Sequence, residues 1–216
     1  MDWNRYVHLQ CERTELGLFN EPFNLATGAL FFVVAFYLWK ELKKQPSRPF
    51  ALKFLIIMTG LIGAGSMTYH SVSRMWAAVF ADVLPIAITA VVFLYLMMKH
   101  ILRVHFLGGL LITSIFIFMN LVFKHYVMRA PDGYVSLFPT LFFLMIISVY
   151  MSITKNPSAK NFAIASVVAI IGIFFRVIDP RVCAQFPIGT HFLWHALMAA
   201  FFFLIVRETI RRYKYK

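Results

Sequence analysis

Four ionisable side chains stand in this sequence where long apolar runs should have none. His70 follows Ser66 by four residues in Gly65-Ser66-Met67-Thr68-Tyr69-His70, and His195 follows His191 by four in Thr190-His191-Phe192-Leu193-Trp194-His195. On a helix each pair occupies one face. Asp82 lies about one turn inside a third apolar run. An ionisable group within a membrane span costs about 2.5–3.5 kcal/mol on insertion scales, so its retention calls for a functional reading. Three imidazoles and a carboxylate at one depth have the chemistry of a zinc site. Neutral ring nitrogens suit Zn²⁺, and a catalytic zinc keeps a position open for water, whose pKa it brings to about 7. A lone intramembrane His more often donates a hydrogen bond in helix packing, and a His-x-x-x-His pair arises by chance in many helices. The third His and the Asp at matching depth are what favour a metal. Proton relay and metal transport draw on the same residue types and stay open at this point.

The elements that must carry these groups are membrane helices. The chain has 216 residues, 61% hydrophobic and 14% charged, against about 25% charged in soluble domains, and its mean hydropathy is +0.75. Segments about 23–40, 51–70, 78–98, 104–123, 134–154, 161–178 and 190–207 are each apolar enough for the roughly 20 residues that a spanning helix needs. The expected fold is therefore all-α, one integral membrane bundle of seven transmembrane helices over residues 1–216 with its termini on opposite sides. Turn-forming stretches mark the breaks: 45–49, Ala130-Pro131-Asp132-Gly133, Asn156-Pro157-Ser158 and Asp179-Pro180. The first 23 residues contain no apolar core of a cleaved signal peptide, so the first span is expected to insert as it stands.

The net charge of +12 would suit nucleic acid or anionic lipid, but the cations cluster between apolar runs and at the C-terminus, the pattern of loops flanking spans. A nucleic-acid partner is excluded on that ground. Of the 21 Lys and Arg, 14 fall on the side that holds loops 40–53, 99–103 and 155–160 and the C-terminal tail. Cytoplasmic loops are enriched in these residues, so the C-terminus is expected inside and the N-terminus outside. Ser66, His70, Asp82, His191 and His195 then share the outer end. His100 and His105 read as interfacial, His125 as solvated surface, Asn120 as a helix-packing group, and the Gly60, Gly63, Ala64, Gly65 series as close helix packing.

Several separated pieces resemble the alkaline ceramidase family, within the wider group of seven-span membrane hydrolases that includes the progestin and adiponectin receptors. They are Cys11-Glu12-Arg13-Thr14, Glu21-Pro22-Phe23-Asn24, Ser66-x-x-x-His70, Asp82 ahead of Leu84-Pro85, and Phe175-Arg176 through Asp179 and Cys183 to His191-x-x-Trp194-His195. The wording of the first two is most similar to the bacterial branch. The resemblance implies that His70, His191 and His195 ligate Zn²⁺, that Asp82 handles the proton of the attacking water, and that Ser66 helps to stabilise the oxyanion. The implied reaction is hydrolysis of a lipid amide, ceramide or a related N-acyl amine, to a fatty acid and an amine, with the lipid drawn from the bilayer. It also implies a Cys11–Cys183 disulfide on the outer side, where such bonds persist. Some family members bind Ca²⁺ through an acidic N-terminal segment that Glu12, Glu21 and Asn24 partly match. His8-Leu9-Gln10 lacks the carboxylate usual just before Cys11, so ion pairs of Glu12 and Glu21 with Arg13, Arg176 or Arg181 are the competing expectation. In a bacterium the protein would sit in the inner membrane with its site facing the periplasm, and in a eukaryote in a secretory-pathway membrane with its site facing the lumen. A lipid-sensing receptor of the progestin and adiponectin type, or a metal or proton transporter, stays open as an alternative.

Overall fold

The computed structural model describes residues 10–13, 19–71, 76–127 and 138–213. His8, Leu9, Thr14 and the start of the expected fifth span, 134–137, lie outside the described residues. Eight helices follow one another: α1 (Pro22–Gly28), α2 (Leu30–Lys43), α3 (Phe50–Ser71), α4 (Trp76–His100), α5 (Phe106–Val127), α6 (Phe138–Ile153), α7 (Ala159–Val182) and α8 (His191–Arg212). Among the described residues six helical stretches are long and apolar enough to cross a membrane, α1 and α2 together counting as one, and α6 is an apolar helix of shorter length. Polarity is inverted relative to a soluble protein. Leu107, Leu111, Phe118 and Ile153 face outward, while Glu21, Asn24, His70, Asp179 and Glu208 are buried. Lipid has no need to be excluded from apolar side chains, so the bundle hides its polar groups instead.

Most helices begin and end within a few residues of the hydropathy boundaries, but two ends move for clear reasons. Asp179-Pro180 was expected to break the chain, whereas α7 runs on to Val182 with Pro180 inside it. A proline so near a helix end removes only one backbone hydrogen bond there. At its other extreme α8 continues beyond 207 to Arg212, because Glu208 is buried with partners: Ser158 Oγ donates to it at 2.6 Å, Asn161 Nδ2 at 2.7 Å and Arg212 Nε at 2.9 Å.

The helices that carry the polar groups pack on one another most closely. α3 lies against α4, α7 against α8, and the short α1 wedges between α3 and α8. Glycines set these distances. A Cβ added at Gly63 would lie 3.0 Å from Phe31 Cβ and 3.1 Å from the Gly28 carbonyl oxygen. One added at Gly65 would overlap the Ala81 carbonyl oxygen and sit 3.0 Å from Asp82 Cα. The glycine series thus serves two faces, Gly63 toward α1 and α2 and Gly65 toward α4, and the second presses the backbone of Asp82 against the residue beside Ser66. Gly60 has nothing nearer than 3.9 Å. Gly65→Ala should therefore destabilise the bundle by about 1–3 kcal/mol, as overpacking does, whereas Gly60→Ala should be close to neutral. Thermal unfolding of both variants in detergent checks this, and equal effects would contradict the close α3–α4 approach.

Candidate metal centre

Three imidazoles converge at the end of the bundle away from the Lys/Arg-rich loops. His70 comes from the last turn of α3, and His191 and His195 from the first two turns of α8. All three are buried, and their candidate ligand nitrogens lie within 4.8 Å of one another. The i,i+4 spacing explains why one helix supplies two of them. The ring centroids of His70 are 4.8 Å from those of His195 and 5.3 Å from those of His191.

Hydrogen bonds at the outer nitrogens fix which atoms face inward. His70 Nδ1 is bonded to a carboxylate oxygen of Glu21. An imidazole that donates from Nδ1 keeps its lone pair on Nε2, and His70 Nε2 is buried with no hydrogen-bond partner. His195 Nδ1 lies 3.1 Å from the Asn24 carbonyl oxygen, so its Nε2 is likewise the acceptor atom. A buried nitrogen without a partner costs free energy, and His70 Nε2 in that state, beside two further imidazoles, is an arrangement that a metal ion relieves. Three neutral imidazoles, oriented by a carboxylate and a backbone carbonyl behind them, fit Zn²⁺ in donor type and in supporting shell.

Glu21 is fully buried and holds more than the histidine. Its other oxygen is paired with Arg13 Nε, while Asn24 Nδ2 donates at 2.9 Å to the oxygen that also meets His70. Arg13 also donates to the Tyr69 carbonyl oxygen at 2.7 Å and stacks over the Tyr69 ring at 5.3 Å. Of the ion pairs expected for the N-terminal segment, the one between Glu21 and Arg13 is present. Glu12 instead accepts the backbone N–H groups of Phe23 at 2.6 Å and Asn24 at 3.0 Å, capping the first turn of α1. Burial pushes the Glu12 carboxyl up from its ordinary range, and those two N–H groups oppose the shift. Glu12, Glu21 and Asn24 are thus neighbours, but the carboxylate oxygens that would serve Ca²⁺ are turned toward N–H donors. Among the described residues the gathered metal-ligand set is the three histidines.

Asp179 stood in the sequence reading only as part of the Asp179-Pro180 break and of the resemblance, with no role of its own. Its carboxylate accepts N–H from Thr190 at 2.6 Å, from His191 at 2.9 Å and from Cys11 at 3.1 Å. It caps α8 at the residue that is itself a candidate ligand, and ties that end to the N-terminal segment. Cys11 and Cys183 form a disulfide beside it. Gly189, at φ +64°, makes the tight approach to α8, because a Cβ there would strike Asp179 and come within 2.7 Å of Cys11 Cβ. The signal that could have found Asp179 is its spacing from His191, a carboxylate shortly before a helix start, but Pro180 hid it as a loop.

Of the remaining candidates, Ser66 is buried and its Oγ has no hydrogen-bond partner. Its hydroxyl faces α1, where a Cβ at Gly28 would come within 3.2 Å of it. Asp82 is half-buried on α4 and does not belong to the histidine cluster itself. Arg176, expected from the sequence as an ion-pair partner of Glu12 or Glu21, reaches across from α7 to other groups. Its guanidinium stacks over Trp194 at 5.2 Å and interacts electrostatically with Asp82 and with each of the three histidines. His100 stacks on Tyr213 at 3.9 Å, far along α4 from the cluster.

No protein-family model matches the chain, and no curated protein matches it either. The site is therefore argued from its own geometry. If Glu21 orients His70, then Glu21→Gln should weaken zinc retention by about 10–100-fold, the usual cost of losing such a supporting carboxylate. Competition with a chromophoric chelator measures it. Unchanged retention would mean that the Glu21–His70 contact has no part in holding a metal.

Proposed function

We propose that the chain is a zinc-dependent intramembrane amidase of the alkaline ceramidase type. In this reading it has seven transmembrane helices with an outside N-terminus, and it hydrolyses ceramide or a related N-acyl amine to a fatty acid and an amine. The observation that carries the reading is the buried three-histidine cluster with an unpartnered His70 Nε2 and with the Ser66 hydroxyl one turn before His70 on α3. Three histidines are the protein ligand set of a catalytic zinc, which leaves a coordination position for chemistry, whereas structural sites fill all four with protein.

When bound, zinc supplies Lewis acidity and makes water nucleophilic at neutral pH. The remaining roles fall to the chain. Asp82 accepts the proton of the attacking water as the C–O bond forms and returns it to the amide nitrogen as the C–N bond breaks. Ser66 Oγ–H, which has no internal partner to give up, donates to the carbonyl oxygen as negative charge develops. Arg176, anchored over Trp194, places a cation on the Asp82 side of the site. Glu21 and the Asn24 carbonyl keep His70 and His195 in the tautomer that points Nε2 inward. A site at the outer end of apolar helices suits an amide carried at the head of a lipid, whose acyl chain stays among Phe and Leu side chains. In a bacterial host that end faces the periplasm, and in a eukaryotic one the lumen of the secretory pathway.

The test is Asp82→Asn in purified protein given N-acyl amine lipids in mixed micelles. Fatty-acid release should fall by about 10²-fold or more, the share that a general base contributes, while bound metal is unchanged. Full turnover in the variant would remove Asp82 from the reaction. Metal crossing proteoliposome membranes without any fatty-acid release would replace the amidase with a transporter.

A further inference from the structure

At the opposite end of the bundle, among the Lys/Arg-rich loops, lies a cavity of about 440 Å³. His100, Arg103, Tyr150, Lys155, Asn156 and Arg212 line it, from the ends of α4, α6 and α8 and the turns that follow α4 and α6. We infer that this cavity binds the phosphate of an anionic lipid headgroup. The inference is independent of the amidase reading.

Two observations make the cavity a cation-lined receptor rather than a gap between helices. The first is charge. Arg212 is already paired with Glu208 and also donates to the Pro157 carbonyl oxygen at 3.4 Å, so it forms a fixed wall. Glu41 and Glu208 are the acidic residues at this end, and Glu41 is engaged with Lys44 and Arg207. Arg103 and Lys155 have no acidic partner among the described residues, so two uncompensated cations face one concavity. The second is backbone conformation. Both residues are left-handed, at φ 57° and 50°. Each follows a helix whose end is closed by a backbone return: Val104 N–H donates to Met98 O, six positions back, at 2.9 Å, and Asn156 N–H donates to Met151 O, five positions back, at 2.8 Å. That position is ordinarily glycine, because other residues meet steric cost there. Here the two turns place an arginine and a lysine instead. The helix dipole favours a cation after α6, but α4 already carries Lys99 and His100 in its last turn. A strained cation at Arg103 is better explained by something that it binds.

The surroundings select a lipid over a soluble anion. Tyr150 in the cavity wall is half-exposed on the outward face of α6, and Ile153 beside it is 76% exposed. Phe106 and Leu107, which open α5 just past Arg103, are 58% and 64% exposed. A free phosphate gains nothing from this apolar border, whereas a phosphate esterified to an acylated glycerol meets cations at its head and hydrocarbon at its tail. Basic pockets between membrane helices recognise headgroups in this way.

The experiment compares retention of phosphatidylglycerol and phosphatidylcholine by the purified full chain in detergent, read by native mass spectrometry. The key variant, Arg103→Gly with Lys155→Gly, puts glycine where the backbone favours it, so removal of the cations should not cost folding. Wild type should retain phosphatidylglycerol selectively, and the variant should lose about tenfold of that retention. Lys43→Gln with Arg48→Gln, which removes two cations from another loop at the same end, should leave it intact. Absence of selectivity in wild type, equal retention in the glycine variant, or equal loss in the control would overturn the inference. Displacement of the lipid by millimolar inorganic phosphate would assign the cavity to a soluble anion instead.

Discussion

The candidate site depends above all on the hydrogen bond between Glu21 and His70. A carboxylate with no exposure at the end of a membrane bundle is costly unless its charge is matched. Arg13 matches it on one oxygen, while His70 and Asn24 share the other. That division has a structural price and a chemical product. It requires the N-terminal segment, α1 and α3 to meet at one point, and it leaves His70 Nε2 facing the other two imidazoles with nothing to bond. Without Arg13 the buried carboxylate would lose its guanidinium partner, and the orientation of His70 would lose a support.

Asp179 performs the matching task for α8. By accepting the N–H groups of Thr190 and His191 it sets where that helix begins, and thereby the depth of both its histidines. Its bond to the Cys11 N–H and the adjacent disulfide return the load to the same N-terminal segment that carries Arg13 and Glu12. Two buried carboxylates, on α7 and just before α1, therefore position the three histidines on α3 and α8. The rigidity this gives is local to the histidine end of the bundle. At the other end Glu208 organises an analogous polar group with Ser158, Asn161 and Arg212.

Much of this was legible in the sequence, for physical reasons that also explain the omissions. Hydropathy found the helices because lipid demands long apolar segments, and the i,i+4 spacing placed Ser66 with His70 and His191 with His195 because helix periodicity is rigid. The depth match of His70 with the α8 pair followed from counting along opposed spans. Partners distant in sequence were another matter. Glu21 lies 49 residues from His70, and Asp179 meets Cys11 across 168, separations that no local pattern encodes. Pro180 was read as a break because its ring opposes helix interiors, yet that effect is small in a final turn. The end of α8 was cut short because Arg207 and Glu208 look hydrophilic one at a time, whereas burial with partners makes Glu208 part of the helix. Glu12 looked like a hard-cation ligand, and its environment of backbone N–H groups could be seen only once α1 was placed.

The most direct test of the metal centre is elemental analysis combined with X-ray absorption at the zinc edge on detergent-purified wild type and His191→Ala. About one zinc per chain with nitrogen neighbours near 2.0–2.1 Å, lost in the variant, is the expected result. Wild type without zinc, or zinc that persists unchanged when His191 is removed, would contradict the assignment of these three histidines.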